Sequence, residues 1–121
     1  MEIRHKKTFL FGKNGLSYNW MAINSKEELI DFLTLNRTQL KEWGVIRLGL
    51  FGSFVRREQS EQSDIDLLVE FEKSKKTFDN FMDLAWFLED NTQRKIDLLT
   101  PESLSPHIGP KILKDVEYYA L

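Results

Sequence analysis

Two aspartates one residue apart, Asp64 and Asp66, stand at the head of an apolar run, Ile65 to Phe71. In a strand, side chains alternate between faces, so both carboxylates would point the same way. Paired carboxylates repel unless something positive lies between them. A hard divalent cation such as magnesium answers that need, because it takes oxygen donors and keeps positions open for phosphate. Upstream, Gly52 and Ser53 directly follow another apolar run, Val45 to Phe51. A glycine where a strand turns lets backbone approach a ligand closely. If Ser53 to Arg57 begins a short helix, its free N–H groups offer an anion site. Phosphate beside a carboxylate pair is the arrangement of metal-assisted phosphoryl or nucleotidyl transfer. A third acid, Asp97, lies within the apolar run Ile96-Asp97-Leu98-Leu99. An unpaired buried carboxylate there is costly. A strand over Lys95–Leu99 lying beside Asp64–Phe71 would let Asp97 complete a trio.

The ordered set Gly52-Ser53, ten intervening residues, then Asp64-x-Asp66 resembles the signature of the polymerase-beta-type nucleotidyltransferase superfamily. The longer match, G-S-F-V-R … S-D-I-D-L-L-V-E-F and later K-I-D-L-L-T-P-E-S-L, is similar to its small prokaryotic branch, the minimal nucleotidyltransferases. It spans residues 25–121, which are expected to form the nucleotidyltransferase domain. The resemblance implies an α/β (α+β) fold, a short mixed β-sheet packed with helices. It implies a two-metal in-line displacement, with two Mg2+ ions and ATP as nucleotide donor. Asp64 and Asp66 would hold both ions; Asp97 would bind the second, near the acceptor hydroxyl, and could take its proton. Ser53 and the backbone after Gly52 would grip the outgoing pyrophosphate. Losing one such ligand would cost on the order of several kcal/mol of transition-state stabilisation. Minimal nucleotidyltransferases that resemble this chain often act as antitoxins. They bind an all-helical HEPN-domain ribonuclease toxin and inactivate it by transferring AMP to a tyrosine. The resemblance therefore also implies a HEPN-domain toxin as partner.

Arg56 matches a basic residue that the family commonly places after the Gly-Ser turn. A guanidinium suits phosphate, but Glu58 and Glu61 are equally available partners. Arg57 departs from the pattern, since many relatives carry glycine there. A positive φ at that position would cost an arginine about 1 kcal/mol or more. Ser63 reads as a cap beside the aspartate pair. Glu70 shares the aspartate row but lies roughly 13 Å from Asp66 at strand rise, too far for a common ion. His5 and His107 read as surface residues. No nucleophilic triad or Walker-type phosphate loop is visible.

The elements that must position these residues are legible from pattern. Ser25-x-x-Glu28 is a capping box opening a helix with Leu29, Phe32, Leu33, Leu40 and Trp43 at helical spacing. Gly44 ends it. Strand Asp64–Phe71 turns Ile65, Leu67, Val69 and Phe71 toward the core. Phe78, Phe81, Met82, Ala85 and Leu88 mark a second amphipathic helix ending near Asn91, whose aromatic stripe, with Trp86 and Phe87, reads as core or partner surface. Thr100-Pro101 reads as a cap and first helical residue. A last helix is expected over Lys111–Ala120, with Ile112, Leu113, Val116 and Tyr119 inward. Residues 1–24 lie outside the resemblance. Asn14-Gly15 between two apolar runs predicts a β-hairpin extension there, docked on the sheet edge or serving as a contacting arm.

At 121 residues the length fits one domain. The formal charge of −2 argues against a general nucleic-acid coat protein, which would carry a basic excess, but admits a small nucleotide. There is no cysteine, so disulfides and thiolate zinc sites are excluded. No apolar run reaches membrane-spanning length and no signal-peptide core is visible, so a cytoplasmic location is expected. Two rivals remain at this level. One is a magnesium-nucleotide-binding module that neutralises a partner by contact, with little or no catalysis. The other is a small-molecule nucleotidyltransferase, for which 121 residues leave little room to build an acceptor pocket.

Overall fold

A computed structural model describes residues 22–121. The expected hairpin over residues 1–24 falls almost wholly outside them. A mixed four-stranded sheet carries the fold, in the order β3-β2-β1-β4. Strands β1 (Val45–Phe51) and β2 (Ile65–Phe71) are antiparallel. Strand β3 (Ile96–Leu99) runs parallel to β2 on one flank, and β4 (Glu117–Ala120) antiparallel to β1 on the other. The parallel pair needs a crossover, which helix α3 (Phe78–Thr92) supplies.

The expected helix before β1 is two helices, α1 (Lys26–Leu35) and α2 (Arg37–Glu42), broken at Asn36. Asn36 takes φ −106° and ψ 15°, and its side-chain amide donates to Phe32 O at 2.8 Å, which ends the first helix locally. The break turns Leu35 out to solvent while keeping Leu29, Leu33 and Leu40 inside. At the start, Ser25 Oγ accepts from Glu28 N at 3.0 Å, and Glu28 reaches back to Asn24 N at 2.8 Å. Gly44, at φ 92°, supplies the left-handed stop after α2.

The core lies between the sheet and these helices. Ile65, Leu67, Val69 and Phe71 form the inward row of β2 as their alternation requires, and Leu48 and Leu50 meet them from β1. In α3 the buried face is Leu84, Phe87 and Leu88, with Phe81 packed against it, while Phe78 is exposed. The apolar stripe is thus rotated from the expected one, and Phe87 joins the core by stacking on Phe32 and meeting Trp43 edge-on.

The largest departure is at the C-terminal end. Instead of one helix over Lys111–Ala120, a short α4 (Gly109–Asp115) gives way at Val116 (φ −68°, ψ 139°) to β4. Non-local pairing outweighs helical spacing here. The edge of β1 gains a partner strand, Tyr118 stacks under the Arg47 guanidinium at 3.6 Å, and Glu117 meets the buried Lys26 at 2.6 Å. Leu113, expected inward, is exposed. Thr100-Pro101 opens only a 3-10 turn, Pro101–Ser103, closed by Ser103 Oγ on Thr100. No helix among the described residues is long and apolar enough to cross a membrane.

Candidate active site

The site forms where β1 ends and β2 and β3 run side by side. Register fixes it: Phe51 stands opposite Asp66, and Asp66 opposite Asp97. Two residues that are 31 positions apart in sequence are therefore neighbours on adjacent parallel strands, with their side chains on one face. Asp64 immediately precedes β2, one strand repeat from Asp66. Sequence alternation thus brings Asp64 to Asp66, and sheet order brings Asp97.

The electrostatics follow from this crowding. Asp66 is half-buried, and its carboxyl is pushed from the ordinary value of 3.8 up to about 6. Burial is the largest cause; the charge of Asp97, a hydrogen bond with Asp97 and the charge of Asp64 add to it, while Arg56 opposes. Below pH about 6 and without a cation, a proton on Asp66 relieves the repulsion between the two carboxylates. Asp97 itself is exposed, because β3 is an edge strand. Asp97 is thus not the costly buried carboxylate that its apolar run suggests; register draws it to Asp66.

Gly52 explains how the loop reaches this pair. It sits at φ 76°, and a Cβ there would run into Oδ2 of Asp66. Only glycine lets the backbone turn directly over the carboxylate. The segment after it is a hydrogen-bonded turn and not the expected short helix: Arg56 N donates to Gly52 O (3.3 Å), Arg57 N to Phe54 O (3.2 Å) and Glu58 N to Ser53 O (2.8 Å). Among the described residues, the N–H groups of Ser53, Phe54 and Val55 make no hydrogen bond. Ser53 is partly exposed whereas Val55 is buried and Phe54 fully enclosed, so the amide left for an anion beside the carboxylates is that of Ser53. Phe54, fully buried, pins the turn to the core.

The remaining candidates separate. Arg56 pairs with Glu58 at 3.0 Å and reaches Asp115, at the end of α4, at 3.6 Å. It remains close enough to Asp66 to be felt there. Arg57 does take a positive φ, 60°, and its guanidinium pairs with Glu27 of α1. Ser63 caps the loop, its Oγ accepting from Ser60 N at 2.8 Å. Glu70 is bound to Arg47 at 2.8 Å, away from the aspartates, and His107 is exposed. Arg94 carried no signal in the sequence, yet its buried guanidinium ties the loop before Asp64 to the chain around Ile23. Its partners lie 31 to 71 positions away, beyond the reach of any local pattern.

By donor chemistry the aspartates suit a hard divalent cation, which would offset the repulsion among them with positive charge. Among the described residues, no group of three or more acidic or histidine side chains is arranged to hold a metal ion. The donors fit by type and by face, not as a finished cage.

Comparison with known proteins gives this geometry a family. The family described as "Nucleotidyltransferase domain" matches residues 34–120. The "Protein adenylyltransferase MntA" of Thermococcus cleftensis is 37% identical over 99 residues, covering 81% of this chain and 99% of that protein. A solved structure described, provisionally, as a minimal nucleotidyltransferase superposes with a TM-score of 0.66 at 28% identity, covering 77% of this chain and 94% of that one. A toxin–antitoxin crystal structure with AMP-PNP shares the fold, with a TM-score of 0.57 at 19% identity, covering 79% of this chain and 73% of that one. With its glycine-hinged turn over paired strand carboxylates, the chain belongs to the nucleotidyltransferase domain family and is a nucleotidyltransferase.

Proposed function

We propose that the protein transfers AMP from Mg-ATP to a hydroxyl of a partner protein, and that it works in the cytoplasm as an antitoxin whose acceptor is a tyrosine of a HEPN-domain toxin. The observation that carries the reading is the Asp66–Asp97 register with Gly52 folded directly onto Asp66. That arrangement puts acidic donors and the backbone at Ser53 on one spot. The name of the Thermococcus relative supports adenylyl transfer to protein, and the toxin–antitoxin neighbour supports an antitoxin role.

In this reading Asp64, Asp66 and Asp97 are the residues that would hold two magnesium ions, which supply charge neutralisation at the phosphates and a more acidic acceptor hydroxyl. Ser53 and its backbone N–H, next to Gly52, receive oxygens of the outgoing pyrophosphate. Asp97, exposed on the edge strand, faces the incoming acceptor and takes its proton. Arg56 leaves Glu58 and Asp115 to meet phosphate charge, a modest exchange because exposed ion pairs contribute little. In the transfer, the acceptor oxygen forms a bond to the α-phosphorus as the bond to the pyrophosphate oxygen breaks.

Incubation with magnesium, a HEPN-domain partner and ATP labelled at the α or the γ phosphate tests this. Label from the α position on the partner, with pyrophosphate released, is the expected result. Label from the γ position would make the protein a kinase. A tight complex without label would favour the contact-only binding module.

A further inference from the structure

We propose that Arg94 is the positioning residue for Asp64, fixing the backbone on the amino side of that carboxylate. Arg94 is 8% exposed and forms no ion pair among the described residues. Its guanidinium is spent on neutral oxygens instead. Nη1 donates to Ser60 O at 2.8 Å and to Ser63 O at 2.7 Å, Nη2 donates to Asn24 Oδ1 at 3.0 Å, and Nε donates to Ile23 O. The group also lies 4.9 Å from the ring centre of Phe54, the residue that pins the phosphate-side turn. A buried cation is costly unless its donors are all met. Here Nη1 holds the loop before Asp64, while Nε and Nη2 anchor it to the chain at Ile23 and Asn24.

The next residue completes the grip. Lys95 O accepts from Ile65 N at 3.0 Å. Ser63 and Ile65, the neighbours of Asp64 on either side, are thus both held by the dipeptide Arg94-Lys95. Two residues further on, Asp97 stands in register with Asp66. One short stretch therefore places all three aspartates. Gln93, at φ 59°, is the left-handed turn that delivers Arg94 from α3 into the loop. Planar fork geometry matters, since a lysine ammonium in the same place keeps the charge but cannot span Ser60, Ser63, Asn24 and Ile23 together.

The inference rests on the reading of Asp64 as a metal ligand, but its test does not require turnover. In full-length protein, the amides of Ser63, Asp64 and Ile65 should exchange about tenfold faster in Arg94→Lys, with Leu48 to Leu50 unchanged. The Mn2+ dissociation constant, read by electron paramagnetic resonance, should rise roughly 10- to 100-fold, the usual effect of losing a residue that orients a ligand. If transfer occurs, kcat should fall by up to about 100-fold with a much smaller change in KM for ATP. Asn24→Ala removes only the far anchor and should leave Mn2+ affinity within about threefold of wild type, since it frees one of several grips. Equal losses in both variants, or a uniform rise in exchange across the sheet, would show general loosening and overturn the proposal. The wild type offers a check should Arg94→Lys fail to fold. The Nε–H of Arg94 should exchange far more slowly than that of the exposed Arg56, and equal rates would also sink the idea. Wild-type protein without transfer activity, but with these exchange and Mn2+ results, would leave the positioning intact and count against the proposed reaction alone.

Discussion

Asp66 is the residue on which burial and two neighbouring carboxylates act in the same direction. Its folded pKa, about 6, exceeds the ordinary 3.8, so between those values the folded chain keeps a proton that the unfolded chain has released. Metal-free stability contributed by this group is present at low pH and is lost as pH rises through about 6. Full linkage would be about 3 kcal/mol, and screening at a half-buried site lowers it to about 1–2 kcal/mol. Asp66→Asn should therefore stabilise the metal-free protein by about that amount at pH 7.5, flatten the pH dependence and abolish transfer. Denaturant melts at pH 4.5 and 7.5 beside a transfer assay check it; a variant no more stable than wild type at pH 7.5 contradicts the origin given for the shift. Arg57 raises a separate matter of strain. Its φ of 60° suits glycine, so Arg57→Gly should be more stable than Arg57→Ala by about 1 kcal/mol. Both lose the Glu27 pair, so a difference in their melting isolates the backbone.

At the scale of elements, the site depends on strands being held in register from both flanks. Strand β4 covers the β1 edge that would otherwise lie open to pairing with another chain. Gly49 makes room for it: a Cβ there would meet Val116 Cγ2 at 2.5 Å and the Tyr118 ring at 3.0 Å. Gly49→Ala should cost about 1–3 kcal/mol, and amide exchange over 117–120 should accelerate before that over β2. Equal protection throughout would show that β4 tolerates the methyl by shifting. The break at Asn36 and the change from α4 to β4 have different causes. Both segments have helical spacing, but the first is interrupted by the side chain of Asn36 on Phe32 O, and the second yields to pairing with β1.

For the whole molecule, the crowded acidic pair beside Ser53 predicts coupling between stability and ligand. Magnesium with a non-hydrolysable ATP analogue at about a hundred times its Kd should add about 2.7 kcal/mol, or roughly 10 °C in Tm for a domain of this size. At pH 5, with Asp66 protonated, the increase should be clearly smaller, because proton and metal compete for the same oxygens. Calorimetry at both pH values reads this, and an equal rise would place binding elsewhere. The sequence by itself determined the β1–β2 unit, the Gly52-Ser53 turn and the shared face of Asp64 and Asp66. Those follow from alternation and from glycine's conformational reach, which are properties of a few adjacent residues. Only the tertiary structure decided that Asp97 is an exposed edge residue brought in by parallel register, that the chain ends in a strand, and that Arg94 grips the loop before Asp64. Each of these rests on contacts between segments tens of residues apart, where the relevant energy belongs to a pairing and not to either partner's local pattern.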